Sequence, residues 1–117
     1  MELTYDCEMF KKTFESEFTW LNGFMRNVRR FGCKNAAFDP MSGKIWTYDD
    51  LNIDSNRFAN AMKASNVKKS DVVFVQLFNS PQFLFGYIAS QKIGSIFNPA
   101  NFNLSPGETA EIIDHNK

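Results

Sequence analysis

The sequence predicts an α/β chain with helices around a small, mainly parallel sheet, and three observations carry that prediction. Val72-Val73-Phe74-Val75 opens an apolar run that reaches Phe78 with Gln76 as its polar interruption, the pattern of a strand covered on both faces. Asn79-Ser80-Pro81 then supplies cap residues and a proline suited to the first helical position. Phe83, Leu84, Tyr87, Ile88 and Ile93 give the helix that follows a broad apolar surface, and Gly94 closes it. Ser95 to Asn98 is a second short strand. Strand, helix, strand across 72–98 implies a right-handed crossover and parallel pairing.

The remaining elements follow in chain order. Phe10, Phe14 and Phe18 recur at four-residue spacing, and Glu8 and Lys12 are also four apart, so residues 1–18 read as a helical amino-terminal extension. Thr19 caps a second helix whose apolar face is Leu21, Phe24, Met25 and Val28; Gly32 ends it as a left-handed residue. Asn35–Asp39 and Lys44–Thr47 flank Pro40-Met41-Ser42-Gly43, which predicts a hairpin near 35–47. Thr47 caps the next helix, with Asp49 and Asp50 in its first turn, where the helix dipole favours negative charge. Leu51, Phe58 and Met62 line one face of that helix, and Asn66 terminates it. Finally, Ser105-Pro106-Gly107-Glu108 reads as a capping box opening a helix through Ala110, Ile112 and Ile113 to the end at Lys117. No stop signal follows Ile113, so the chain is expected to be cut rather than finished, with 19–117 the first part of a larger domain.

Composition narrows the function classes. The 117 residues fit one compact domain or part of a larger one, and thirteen Phe imply either an aromatic core or rings meant for a missing partner surface. Lys plus Arg equals Asp plus Glu, so no footprint for a nucleic acid is present. The short cluster Arg26, Arg29, Arg30 complements a helix C-terminus. No apolar run approaches the roughly 20 residues of a membrane span. Cys7 and Cys33 share no metal-ligand spacing and no secretory signal precedes them, which points to reduced thiols and a cytoplasmic protein.

Chemistry is sought and mostly not found. The six glycines never cluster, and the strand-to-helix turn reads Phe78-Asn79-Ser80-Pro81, so a dinucleotide-binding oxidoreductase is disfavoured. His115 stands alone, without companion metal ligands or a nucleophile-elbow serine. Asp49 and Asp50 sit about 100° apart around a helix and do not face each other. Capping accounts for them and for Glu108. The residues alone give an α/β segment with no catalytic residue and no metal site.

A resemblance extends this reading. Trp46-Thr47-Tyr48-Asp49-Asp50-Leu51 is similar to the "TYxEL" motif of the adenylate-forming superfamily, with Asp50 in place of Glu. Asn56-Arg57-Phe58-Ala59 resembles its "NRxA" segment, and Val67 to Val73 resembles "GVxxGDxV" with Asn66 and Ser70 replacing the two glycines. Asn79 precedes a helix as in "N-x-x-x-F". Ile93 to Pro99 is similar to "xxGAxxxP" with Ser95 for Ala, and Leu104 to Glu108 fits "L(S/T)xxE". Six motifs in order across 46–113 resemble the amino-terminal part of an AMP-forming acyl-CoA synthetase. The first forty residues carry almost none of this signal.

The resemblance implies a two-step reaction. ATP and a carboxylate give an acyl-adenylate and pyrophosphate, and the thiol of coenzyme A then displaces AMP. Mg²⁺ and a lysine suit the charge that develops. The family's phosphate loop, adenine segment, ribose-binding Asp and catalytic lysine all lie downstream, so these 117 residues are expected to be inactive alone, and the matched segments are scaffold. In acetyl-CoA synthetase-like members the loop after the second strand lies near the nucleotide end of coenzyme A, which falls here on Asn101, Phe102 and Asn103; Phe102 then stacks on adenine or packs as a core residue. Asn98-Pro99-Ala100-Asn101 resembles the "NPxN" of fatty and medium-chain acyl-CoA synthetases more than the "VPxD" of peptide-synthetase domains. Partners are then the remainder of the same chain and a small-molecule carboxylate. The strand from Val72 to Phe78, or its neighbour, is expected to expose an open edge that drives self-association. The competing reading is a stand-alone, non-catalytic interaction module with the same fold.

Overall fold

The computed structural model describes residues 6–116. Helix α1 (Cys7–Lys11) is capped by Asp6, whose carboxylate accepts from the Glu8 and Met9 amides at 2.9 and 3.2 Å. It runs on into a π-helical turn, Lys12–Glu17. The expected helical extension is present from residue 7; residues 1–5 lie outside the described part. Phe10, Phe14 and Phe18 stack in series, with ring centroids 4.4 and 5.3 Å apart.

Helix α2 (Trp20–Phe31) begins where the Thr19 hydroxyl accepts from the Asn22 amide, and it buries Phe24 while Leu21, Met25 and Val28 flank it half-buried. Gly32 corrects the expected left-handed cap: its φ and ψ are both −44°, ordinary helical values. Its near neighbour is the exposed side chain of Asp49. A Cβ at Gly32 would stand 2.5 Å from both carboxylate oxygens of Asp49, whose amide donates to the Gly32 carbonyl at 3.0 Å. The backbone bond from Asp49 joins the end of α2 to the start of the next helix.

The hairpin forms as expected from β1 (Asn35–Phe38) and β2 (Ile45–Thr47), antiparallel with a bulge after Asn35. Asp39 organises its turn by accepting from the Met41 amide and the Ser42 hydroxyl, and Gly43 takes φ +73°. Helix α3 (Tyr48–Ala64) opens on a full capping box: Thr47 Oγ1 accepts from the Asp50 amide, and Asp50 Oδ2 accepts from the Thr47 amide at 3.0 Å. Its buried stripe is Leu51, Ser55, Ala59 and Met62. Phe58, expected on that stripe, lies one position to the side and is exposed.

Two residues after α3 adopt left-handed backbone without being glycine: Asn66 at φ 66° and Ser70 at φ 71°. These are the two positions where the family motif has glycine. Asn tolerates this region through its short amide; Ser is strained in it. The turn is held by the Lys68 amide donating to Asp71 Oδ2 at 2.7 Å and the Ser70 amide to the Gly94 carbonyl at 2.9 Å.

Strand β3 (Val72–Val75), helix α4 (Pro81–Ile93) and strand β4 (Ile96–Pro99) form the expected strand–helix–strand unit. The strands pair in parallel from Val72 opposite Ile96 to Val75 opposite Pro99. Ser80 caps α4 and Gly94 ends it at φ +75°. Two expectations about β3 are corrected. It stops at Val75, and Leu77 and Phe78 are exposed, because the Ala100 amide closes the ladder on the Val75 carbonyl and Gln76 turns its amide away to the loop beyond β4. Nor do the described residues cover both faces, since Val72 and Ile96 remain exposed. Helix α5 (Pro106–His115) starts on the Ser105–Glu108 capping box and buries none of its residues.

The core lies along α4. One cluster joins Phe24, Trp46, Leu51 and Ile88; the other joins Ala59, Met62 and Ala89. At Gly86 the Phe58 and Phe97 rings lie 3.7 Å from where a Cβ would stand, ordinary packing distance.

Candidate functional site

In open α/β sheets, ligands collect beyond the carboxyl ends of parallel strands. Here that edge is formed by the residues following β3 and β4, and the loop 100–105 is the built part of it. Asn101 shapes the loop by accepting from the Asn103 amide on its side chain at 2.9 Å and from the Leu104 amide on its carbonyl at 3.3 Å. Gln76 anchors it from beneath. Its Nε2 donates to the Asn101 carbonyl at 3.1 Å and to Thr109 Oγ1 at 3.2 Å, which ties the end of β3 to the loop and to α5. The polar interruption in the apolar run therefore has a structural use.

The structure brings Asn101, Phe102 and Asn103 together on this loop, all exposed. It also places against them a residue that the sequence reading assigned to the strand. The Phe78 ring lies 4.0 Å from that of Phe102, tilted by 33°, and the two are 66% and 43% exposed. Phe102 is thus neither a lone stacking ring nor a core residue. The pair forms an open aromatic shelf past the carboxyl ends of both strands. The signal that could have found Phe78 was Gln76: a polar residue four positions into an apolar run marks the point where the ladder ends.

The acids at the two capping boxes serve local structure. The Ser105 backbone N–H, and then its hydroxyl, hold the Glu108 carboxyl below its usual range, and Thr47 does the same for Asp50. Both acids act as caps, as their spacing indicated. Among the described residues no three of His, Cys, Asp or Glu converge to hold a metal ion, and no helix is long and apolar enough to cross a membrane. A separate open cleft of about 330 Å³ lies between the hairpin and the start of α4, walled by Phe38, Trp46, Leu84 and Phe85.

Comparison with known proteins places this geometry. The description "AMP-binding enzyme" belongs to the family model that matches residues 24–117. A crotonobetaine/carnitine–CoA ligase of Proteus mirabilis is 38% identical over 80 residues, covering 67% of this chain and 15% of the relative. A 4-coumarate–CoA ligase of Humulus lupulus is 31% identical over 85 residues, covering 73% of this chain and 16% of the relative. The chain therefore spans only a small part of the curated relatives it matches. The solved N-terminal subdomain of NpsA from Klebsiella oxytoca superposes with a TM-score of 0.75 at 23% identity, over 83% of this chain and 25% of that one. That likeness is one of fold.

Proposed function

The chain belongs to the AMP-binding enzyme family, and from that premise we propose that it is the amino-terminal scaffold of an acid–CoA ligase whose reacting groups lie in further polypeptide. The observation that carries this reading is 38% identity, over 67% of the chain, to a protein named as a CoA ligase. In this proposal ATP, Mg²⁺ and coenzyme A serve the assembled enzyme, and residues 19–117 form the first part of its large domain while 1–18 are an extension. The chain alone activates no carboxylate. It supplies the parallel pair β3–β4, the helix packed on it and a fixed loop.

Those residues perform one task near substrate. Gln76 holds the loop, and the Phe78–Phe102 shelf offers a flat apolar surface to the nucleotide end of coenzyme A, with the exposed amides of Asn101 and Asn103 beside it. The carboxylate is assigned to the fatty or medium-chain class on the strength of Asn98-Pro99-Ala100-Asn101. The two named relatives instead carry 4-coumarate and crotonobetaine or carnitine in their names. Cytoplasmic residence belongs to the same reading, where the free, exposed thiols of Cys7 and Cys33 stay reduced.

The test is ATP–pyrophosphate exchange on this chain continued into a downstream adenylate-forming domain, across short, medium, long and aromatic carboxylates. Exchange strongest with medium or long aliphatic acids supports the assignment. Exchange confined to aromatic acids overturns the substrate class, and exchange with none overturns the ligase reading.

A further inference from the structure

We propose that the aromatic amino-terminal helix is a homotypic interface, and that its occupant is the same helix of a second copy of this chain, lying antiparallel with Phe14 near the dyad. Residues 7–17 bury none of their side chains, and their apolar stripe stands in solvent: Met9 is 65%, Phe14 49% and Phe18 72% exposed. The stripe precedes residue 24, where the family match begins.

Charge selects the partner. Lys11 and Glu15 are four residues apart on one flank of the stripe, on opposite sides of Phe14 along the axis. Among the described residues neither makes an ion pair; the salt bridge present is Arg57–Asp54. Antiparallel self-pairing places Lys11 of each copy beside Glu15 of the other, so one contact gives two complementary pairs. It also sets Phe14 against its own image and each Phe18 beside the other copy's Phe10. A parallel arrangement would instead align Lys with Lys and Glu with Glu. The flanks are mixed in sign (Glu8, Lys11, Lys12, Glu15, Glu17), which suits another such helix better than an anionic lipid surface.

One helix pair of this length buries less than the ~1,200 Å² of a stable interface, so the dimer is weak and concentration-dependent. The test is sedimentation equilibrium on the 117-residue chain and three variants, with helicity followed by circular dichroism. The parent is expected to show a monomer–dimer equilibrium and Phe14→Glu a monomer. Lys11→Glu and Glu15→Lys should each dimerise at least ~5-fold more weakly, while their equimolar mixture forms a heterodimer tighter than either homodimer. Recovery on mixing cannot come from repaired charge within one helix. A monomeric parent, a Phe14→Glu chain that associates like the parent, or a mixture no tighter than its components would each overturn the proposal.

Discussion

Lys92 reaches from α4 to α3 and donates its ammonium protons to both oxygens of Asn52, at 2.6 Å to the side chain and 3.2 Å to the backbone carbonyl. Ser55 Oγ at 2.9 Å and Asn56 Oδ1 at 2.6 Å complete a ring of neutral acceptors. No carboxylate takes part; these dipoles, with the Phe24 ring 5.8 Å from the ammonium, offset the loss of water around the charge. The contact joins the two helices between which most of the core is buried.

Replacing Lys92 with Met should therefore destabilise the chain by about 1.5–3 kcal/mol, the range for hydrogen bonds to a charged group. Urea unfolding followed by tryptophan fluorescence checks it. A midpoint unchanged from the parent would mean that the cage is ornamental.

The pH dependence has a definite sign at each end. Burial pushes the Lys92 ammonium below its ordinary value of 10.5, so the unfolded chain binds this proton more readily than the folded one. Stability from this group rises as pH climbs through the lowered value towards 10.5, and the rise should be missing in Lys92→Met. Asp50 and Glu108 give a slope of the same sign at the acid end, because their folded values are lowered too. Their capping hydrogen bonds lower them from 3.8 and 4.5, so the stability they add is complete above about pH 4.5 and disappears as pH falls through the depressed values. Unfolding free energy measured against pH in the parent and in Asp50→Asn checks the acid limb, which should flatten in the variant.

Backbone strain gives a stabilising substitution. Ser70 sits at φ 71°, where a side chain costs about 1–2 kcal/mol, so Ser70→Gly should stabilise the chain by about 1 kcal/mol. Asn66→Gly, starting from a residue that tolerates the same region, should gain less. Thermal melts of both variants would rank them, and the reverse order would contradict the strain assigned to Ser70.

Much of this fold is legible from local chemistry. The capping boxes at Thr47–Asp50 and Ser105–Glu108, the Ser80 cap and the left-handed Gly94 all follow from short-range rules, and each is present. Parallel pairing of β3 and β4 follows from their order around α4. Gly32 was misread because the backbone keeps right-handed helical values there, and the bond that fixes this end of α2 comes from the Asp49 amide of another helix, a contact no local pattern encodes. The end of β3 was misplaced for a similar reason, since the acceptors of Gln76 lie 25 and 33 residues further along. The position of the loop Asn101 to Asn103 follows from chain order, while its neighbour Phe78 is hinted at only by Gln76, the polar residue at which the apolar run breaks.

The shelf itself is testable. In a longer protein carrying this chain, Phe102→Ala and Phe78→Ala should each weaken coenzyme A binding by about 1–3 kcal/mol, the value of one base–aromatic stack, and leave the carboxylate-dependent pyrophosphate exchange intact. Calorimetric titration with coenzyme A checks this, and unchanged affinity in both variants ends the shelf's role.

The most direct measurement compares ATP–pyrophosphate exchange by the 117-residue chain alone with exchange by the same chain continued into a downstream adenylate-forming domain. The scaffold reading expects none from the short chain with any carboxylate, and turnover from the longer one that depends on a carboxylate and Mg²⁺. Carboxylate-dependent exchange by the short chain, or its absence from a folded longer one, would contradict that reading.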